Sequence, residues 1–191
     1  MKKPYLSRRE SIILTSIEIL DQLGVQGLTI REIAHRQEVT EAAIYRHFKS
    51  KQEIILSILD QFARYDSVIM NTVREQNYTP IDGIKFVIKS FAEYYENYPE
   101  ITSVIFSYEM FRYEPEAINR IKEIYRIRQE FLSDLIKAAQ NRGEINSKFD
   151  CWDFAILIQG FVNEMTNNWR ISGCVFSLKD KLVSNTELLL S

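Results

Sequence analysis

Long stretches of the chain place their apolar residues at helical intervals, and turn signals punctuate them. Ile12, Ile13, Ile17, Ile19, Leu20 and Leu23 follow Ser7, which with Glu10 fits a capping box; Gly24 is the expected end of this first helix. Thr29 opens a second helix, with Glu32 three residues on and Ile30, Ile33 and Ala34 facing inward. Thr40 opens a third, whose apolar positions are Ala43, Ile44 and Phe48. Ser50 with Glu53 starts a long fourth helix through Ile54, Ile55, Ile58, Leu59 and Phe62, to about Gln76. Farther on, Pro80, Pro99 and Pro115 mark helix starts, because proline suits the first helical turn. Asn141 to Gly143 stops the third of these, Asp150 caps a very apolar segment reaching Ser172-Gly173, and a last helix is expected from about Ser177 to Leu190. The pattern predicts an all-α protein of about nine helices.

Composition narrows the class. Hydrophobic residues make up 46% of 191, enough for a real core, and Gly and Pro are scarce. No run of about 18 apolar residues suggests a membrane span. The basic start MKKPYLSRRE is not followed by an apolar segment, so no secretory signal is expected. Cys151 and Cys174 have neither metal-ligand spacing nor the look of a disulfide framework, and a reducing cytosol is the simplest compartment. Two buried structural thiols are the expected reading, with oxidation sensing the alternative. The net charge of −2 hides an asymmetry: residues 1–51 sum to +3 and the remainder to −5. A basic head precedes an acidic body, which points the head toward an anionic partner.

Within the head, the second and third helices are separated by three or four residues, and so short a turn forces the steep crossing of a helix-turn-helix. Ala34 allows close approach, Val39 plugs the turn and Ile44 packs the third helix. A short helical hairpin in a bundle would share these apolar positions. The polar residues favour DNA. Thr40, Glu41 and Ala42 stand at the start of the third helix, where base edges are read, and Tyr45 and His47 lie one turn on, within reach of phosphate. Lys51, in the first turn of the fourth helix, opposes that helix's dipole, which suggests an external anion there.

The stretch "LTIREIAHRQEVTEAAIYRHFKSKQEII" resembles the DNA-binding signature of the TetR family of bacterial transcriptional regulators, and the likeness covers residues 8–60. The resemblance implies an N-terminal helix-turn-helix domain over residues 1–50 and a helical effector-binding and dimerisation domain over 51–191. It implies that Thr29, Tyr45, Lys51 and His47 contact phosphates, joined by Arg8, Arg9 and Arg31, for which a solvated helix face is the competing reading. Thr40, Glu41, Ala42 and Arg46 would read bases, Glu41 accepting from a cytosine amino group and Ala42 touching a thymine methyl. The departure from the family pattern is Glu38, which stands where the family has glycine. Either Glu38 takes the left-handed conformation at roughly 1 kcal/mol of strain, or the turn is re-formed through Gln37.

For the body, the resemblance implies a homodimer on a palindromic operator and a small effector among the middle helices. The segment 150–171 carries apolar residues over more than one face, enough for both a core and a partner, and Gln159-Gly160 would allow close backbone approach. A central buried helix in a monomer is the competing account. Tyr and Phe crowd residues 86–125, and a ring-lined pocket suits a flat or apolar ligand. Tyr95, Phe106, Tyr125 and Asn163 are the expected lining residues.

Both histidines, His35 and His47, fall in the head, and no phosphate-binding loop, zinc-protease or dinucleotide motif occurs, so no enzyme, metal or cofactor is expected. The expectation is a cytoplasmic, nucleoid-associated bacterial regulator, with repression the usual family behaviour. The alternative is a chromosome-positioning protein that acts through protein partners without an effector.

Overall fold

The computed structural model describes residues 6–105 and 108–190, and within them the chain is all-α. The helices are α1 (Arg8–Gly27), α2 (Ile30–Arg36), α3 (Glu41–Tyr45), α4 (Lys51–Glu75), α5 (Pro80–Asn97), α6 (Glu100–Ile105), α7 (Pro115–Asn141), α8 (Cys151–Ile171) and α9 (Leu178–Leu190), with a 3-10 turn at Tyr108–Phe111. Two compact units form. One holds the chain up to Ala63 with Glu100–Lys122, the other Arg64–Pro99 with Glu123–Ser191. α4 and α7 are continuous through both.

Local sequence explains the element starts. Ser7 and Glu10 make the reciprocal capping box, the Ser7 hydroxyl accepting from the Glu10 amide and the Glu10 carboxylate accepting from the Ser7 amide. At α2 and α4 the box is only half closed. Thr29 caps α2, but the Glu32 carboxylate accepts from Arg36 Nε at 2.7 Å. Ser50 accepts from the Glu53 amide, while Glu53 reaches past it to the Lys49 amide at 2.7 Å. Gly24, at φ +66°, interrupts α1 as a kink, and a further helical turn follows to Gly27. Thr79 and Pro80 start α5, and Asp150 caps α8 by accepting from the Trp152 and Asp153 amides.

In the first unit, Ile12, Ile19, Leu20, Ile33, Ile44, Phe48, Ile54 and Ile58 form a closed core. α1 packs against α2 and α6, and α2 against α3. In the second unit, α5 and α8 pack on α9 through Leu178, Leu182 and Leu190. α8 has two apolar faces: Phe154, Ala155, Ile158, Val162 and Trp169 are buried, while Trp152, Ile156, Leu157 and Ile171 are exposed. Beside them Gly160 faces open space, and Leu188 and Leu189 of α9 are also exposed. Among the described residues no helix is long and apolar enough to cross a membrane.

Candidate nucleic-acid interface and internal cavity

The turn between α2 and α3 resolves the question raised by Glu38, which adopts the left-handed conformation at φ +54°. Gln37 stays right-handed, with φ −86° and ψ −3°. The Val39 amide donates to Ala34 O at 3.0 Å and the Glu38 amide to His35 O at 3.1 Å, the paired bonds that close a helix through a left-handed residue. Gln37 holds the turn to α1. Its amide donates to Thr15 Oγ1 at 2.6 Å, and its carbonyl accepts from Ser11 Oγ at 2.9 Å and Arg8 Nη1 at 3.2 Å. The left-handed strain is therefore sustained by a cross-linked turn.

This turn sets α3 on the surface. Thr40 caps it by accepting from the Ala43 amide at 3.3 Å, Ile44 is fully buried beneath, and Thr40, Glu41, Ala42, Tyr45 and Arg46 are exposed. Tyr45 is 53% exposed. Thr29 and Arg31 are exposed at the start of α2, and His47 is half-buried. Thr29 also caps α2, so its hydroxyl oxygen already accepts from the Glu32 amide. A short helix with small and polar residues along its outer side, flanked by a phenol and cations, is suited to lie in a groove and touch phosphates on either edge.

Besides Arg8, which donates to Gln37, two of the expected phosphate ligands donate to partners within the protein. Arg9 lies 4.1 Å over the Phe48 ring, donates to His47 O at 2.6 Å and Ser57 Oγ at 3.0 Å, and pairs with Glu53 at 3.4 Å. It fastens the α3–α4 connection to α1. Lys51 donates from Nζ to Val25 O at 2.7 Å, in the turn that follows the Gly24 kink. The local reason inferred for an external anion at Lys51 thus has an internal acceptor. Gln37 and Arg9, which position the surface, carried no local signal, because their partners lie 22 to 48 residues away in sequence.

The second unit holds a partly open cavity of about 50 Å³ walled by residues of α4, α5, α7 and α8. Met70, Val87, Ile88, Phe91, Phe131, Leu132, Ile158 and Val162 make it largely apolar, and Tyr95, Arg128, Gln159 and Asn163 supply its polar atoms. Of the expected lining residues, Tyr95 and Asn163 border this cavity, Tyr125 does not, and Phe106 lies outside the described residues. Burial pushes the Tyr95 hydroxyl well above the ordinary phenol range, although the nearby Arg128 opposes the shift. Arg128 grips Asp66 with both ends of its fork, Nε to Oδ2 at 2.5 Å and Nη2 to Oδ1 at 2.7 Å. Their side chains are only 12% and 5% exposed. Burial is the largest single influence and disfavours the guanidinium charge, but the Asp66 carboxylate together with Tyr95 and Tyr125 raises the Arg128 pKa.

Fold and surface together define a helix-turn-helix DNA-binding protein. The chain belongs to the TetR family: the model for "Bacterial regulatory proteins, tetR family" matches residues 12–58, and that for "YsiA-like protein, C-terminal region" matches residues 58–191. It is 28% identical over 168 residues to the HTH-type transcriptional repressor BepR of Brucella suis, a match covering 84% of this chain and 79% of that protein. It is 24% identical over 166 residues to the nucleoid occlusion factor SlmA of Aliivibrio fischeri, covering 78% of this chain and 84% of that one. Among solved structures, the transcriptional regulator FadR of Bacillus subtilis, in complex with stearoyl-CoA, superposes with a TM-score of 0.76 at 21% identity. That match covers 95% of this chain and 97% of that one. Family membership places the chain among transcriptional regulators, not enzymes.

Proposed function

We propose that the protein is a ligand-responsive transcriptional repressor that binds a palindromic operator as a homodimer and is released by a small, largely apolar or aromatic effector. The carrying observation is the exposed face of α3, held by a strained but cross-linked turn at the end of a basic head. In this reading residues 1–50 present the DNA surface, and residues 51–191 carry the effector site and the dimer contact. Thr40, Glu41, Ala42 and Arg46 read bases; Thr29, Arg31, Tyr45, His47 and Lys51 hold phosphates, Lys51 by exchanging its internal acceptor for DNA. The exposed apolar residues of α8 and α9 support a partner helix pair, since single-chain packing leaves Trp152, Ile156, Leu157 and Leu188 in water. The apolar cavity supports an effector, and the stearoyl-CoA bound by the FadR relative supports one with a long apolar portion. The protein would act in the bacterial cytoplasm on the nucleoid.

The similarity to SlmA favours a second reading, a chromosome-positioning protein without an effector. Recovery of bound fragments from the source genome, with a Tyr45→Ala/Arg46→Ala variant as control, separates the two. A few promoter-proximal palindromes, lost in the control, support the repressor. Many dispersed sites support the second reading, and no enrichment overturns both.

A further inference from the structure

Arg128 is the one charged side chain among the residues that wall the cavity, and its counter-ion, Asp66, is not on the wall. The ion pair therefore presents its guanidinium side to the cavity and keeps its carboxylate behind. A guanidinium has five N–H donors. Asp66 takes one from Nε and one from Nη2, and Tyr95 lies near Arg128 on the same wall. Donors remain for one further oxygen. The site is also held in place. The Phe91 ring lies 4.7 Å from the guanidinium carbon, Gln159 donates to Gln129, and Gln129 donates to Trp152 O at 2.7 Å.

We propose that the cavity selects effectors that carry one uncharged hydrogen-bond acceptor (an ester, thioester, ketone or amide carbonyl) on an apolar body, and discriminates against the matching carboxylates. A neutral carbonyl accepts from Arg128 without disturbing the charge balance that Asp66 has already set. A carboxylate has two routes in, both unfavourable. It can join the pair, which leaves a second anion dehydrated beside Asp66, or it can displace Asp66, which leaves that carboxylate buried without its partner. About 50 Å³ holds a few waters and is far below the ~300–1,000 Å³ of ligand pockets, so an effector must enlarge the cavity. Met70 on the wall and Asp66 behind it both belong to α4, which continues back to the α3–α4 connection of the head. Enlargement around a fixed guanidinium therefore acts on α4.

The inference rests on the cavity being the effector site, and the test reads it apart from DNA binding. The full chain is titrated calorimetrically at neutral pH with octanoic acid against methyl octanoate, and with 4-phenylbutanoic acid against its methyl ester. The same preparations are assayed for genomic fragment binding. The expected result is an ester bound at least about tenfold tighter than its acid in one or both pairs, with the order reversed in Asp66→Asn. Acids bound as well as esters by the native chain, an order unchanged in Asp66→Asn, or no binding of any probe overturns it. Should Asp66→Asn fail to fold, the double variant Arg128→Met/Asp66→Leu, which keeps the site neutral, decides. It is expected to fold and to lose about tenfold in ester affinity, and unchanged ester affinity overturns the inference. Loss of DNA binding with the ester preference intact would instead count against the proposed function alone.

Discussion

The head and the body solve the same problem, holding polar groups in a helical protein, in opposite ways. The head spreads its polar bonds over several caps and tethers, exposed or part-buried: Ser7 with Glu10, Ser50 with Glu53, Gln37 with Thr15 and Ser11, Arg9 with His47 and Ser57. Each is individually modest, and the exposed ones are screened by water. The body concentrates polarity in one buried, bidentate pair, Arg128 with Asp66, beside an apolar cavity. A distributed network leaves side chains free at the surface to meet a large polyanion. A concentrated one gives a small cavity a single chemical reference point. Perturbations of the two kinds of network should differ in size.

The largest effect should come from splitting the buried pair. Arg128→Met leaves Asp66 buried and unpaired, and should remove about 3–5 kcal/mol of body stability, whereas Arg128→Met/Asp66→Leu should lie close to the native value. Urea unfolding followed by Trp152 and Trp169 emission reads this, since both tryptophans belong to the second unit. Equal losses in the single and double variants would remove the contrast drawn here.

Smaller effects belong to the recognition face. Replacing Thr40 or Glu41 should change which operator base is preferred, by about 1–3 kcal/mol at one position. Tyr45→Phe removes one hydroxyl and should weaken binding on all sequences by about 0.5–1.5 kcal/mol. Binding of a panel of operator variants distinguishes the two patterns, and a uniform loss for both kinds of change would remove the division into readers and clamps. Glu38→Gly should stabilise the head by about 1 kcal/mol by relieving the left-handed strain, seen as slower amide exchange at position 38 and at Val39. It also removes a negative charge beside the DNA face, so operator affinity should rise.

The smallest effects are titrations of opposite sign. Glu10 is held below its ordinary value of 4.5 by hydrogen bonds from the Ser7 side chain and backbone, and Glu53 mainly by the Lys49 amide. Their contribution is present above 4.5 and is lost as the pH falls through the lowered folded values. Tyr94 and Tyr95 are raised above 10, mainly because burial penalises the phenolate. Their contribution is complete below 10 and is lost as the pH rises through the raised folded values. Amide exchange should therefore accelerate first in α1 and α4 at acid pH, and tryptophan emission should respond first at alkaline pH. The reverse order would contradict the contrast.

What the sequence showed follows the same division. Caps, proline starts and the α2–α3 turn are written within a few residues of each other, so Ser7, Thr29, Thr40, Pro80 and Asp150 could be assigned by reading along the chain. The left-handed demand of the turn was legible too, although which residue would meet it was not: Gln37 is drawn to α1 and leaves Glu38 to take the positive φ. Long-range partners were invisible. No local spacing announces the Phe48 ring and Ser57 hydroxyl around Arg9, or Val25 O beside Lys51. The fork between Arg128 and Asp66 spans 62 positions, and no local spacing announces it. Crowded rings pointed to the cavity region through Tyr95, but only packing distinguishes Tyr95 on the wall from Tyr125 off it.

The central claim, a dimeric repressor acting through α3, is tested most directly by footprinting the purified protein on a promoter fragment recovered from its own genome. The account predicts two symmetric protected half-sites in the major groove, with centres ~34–36 Å apart or a somewhat larger span, and protection lost in the Tyr45→Ala/Arg46→Ala variant. A single asymmetric footprint, or protection that survives that variant, would contradict it.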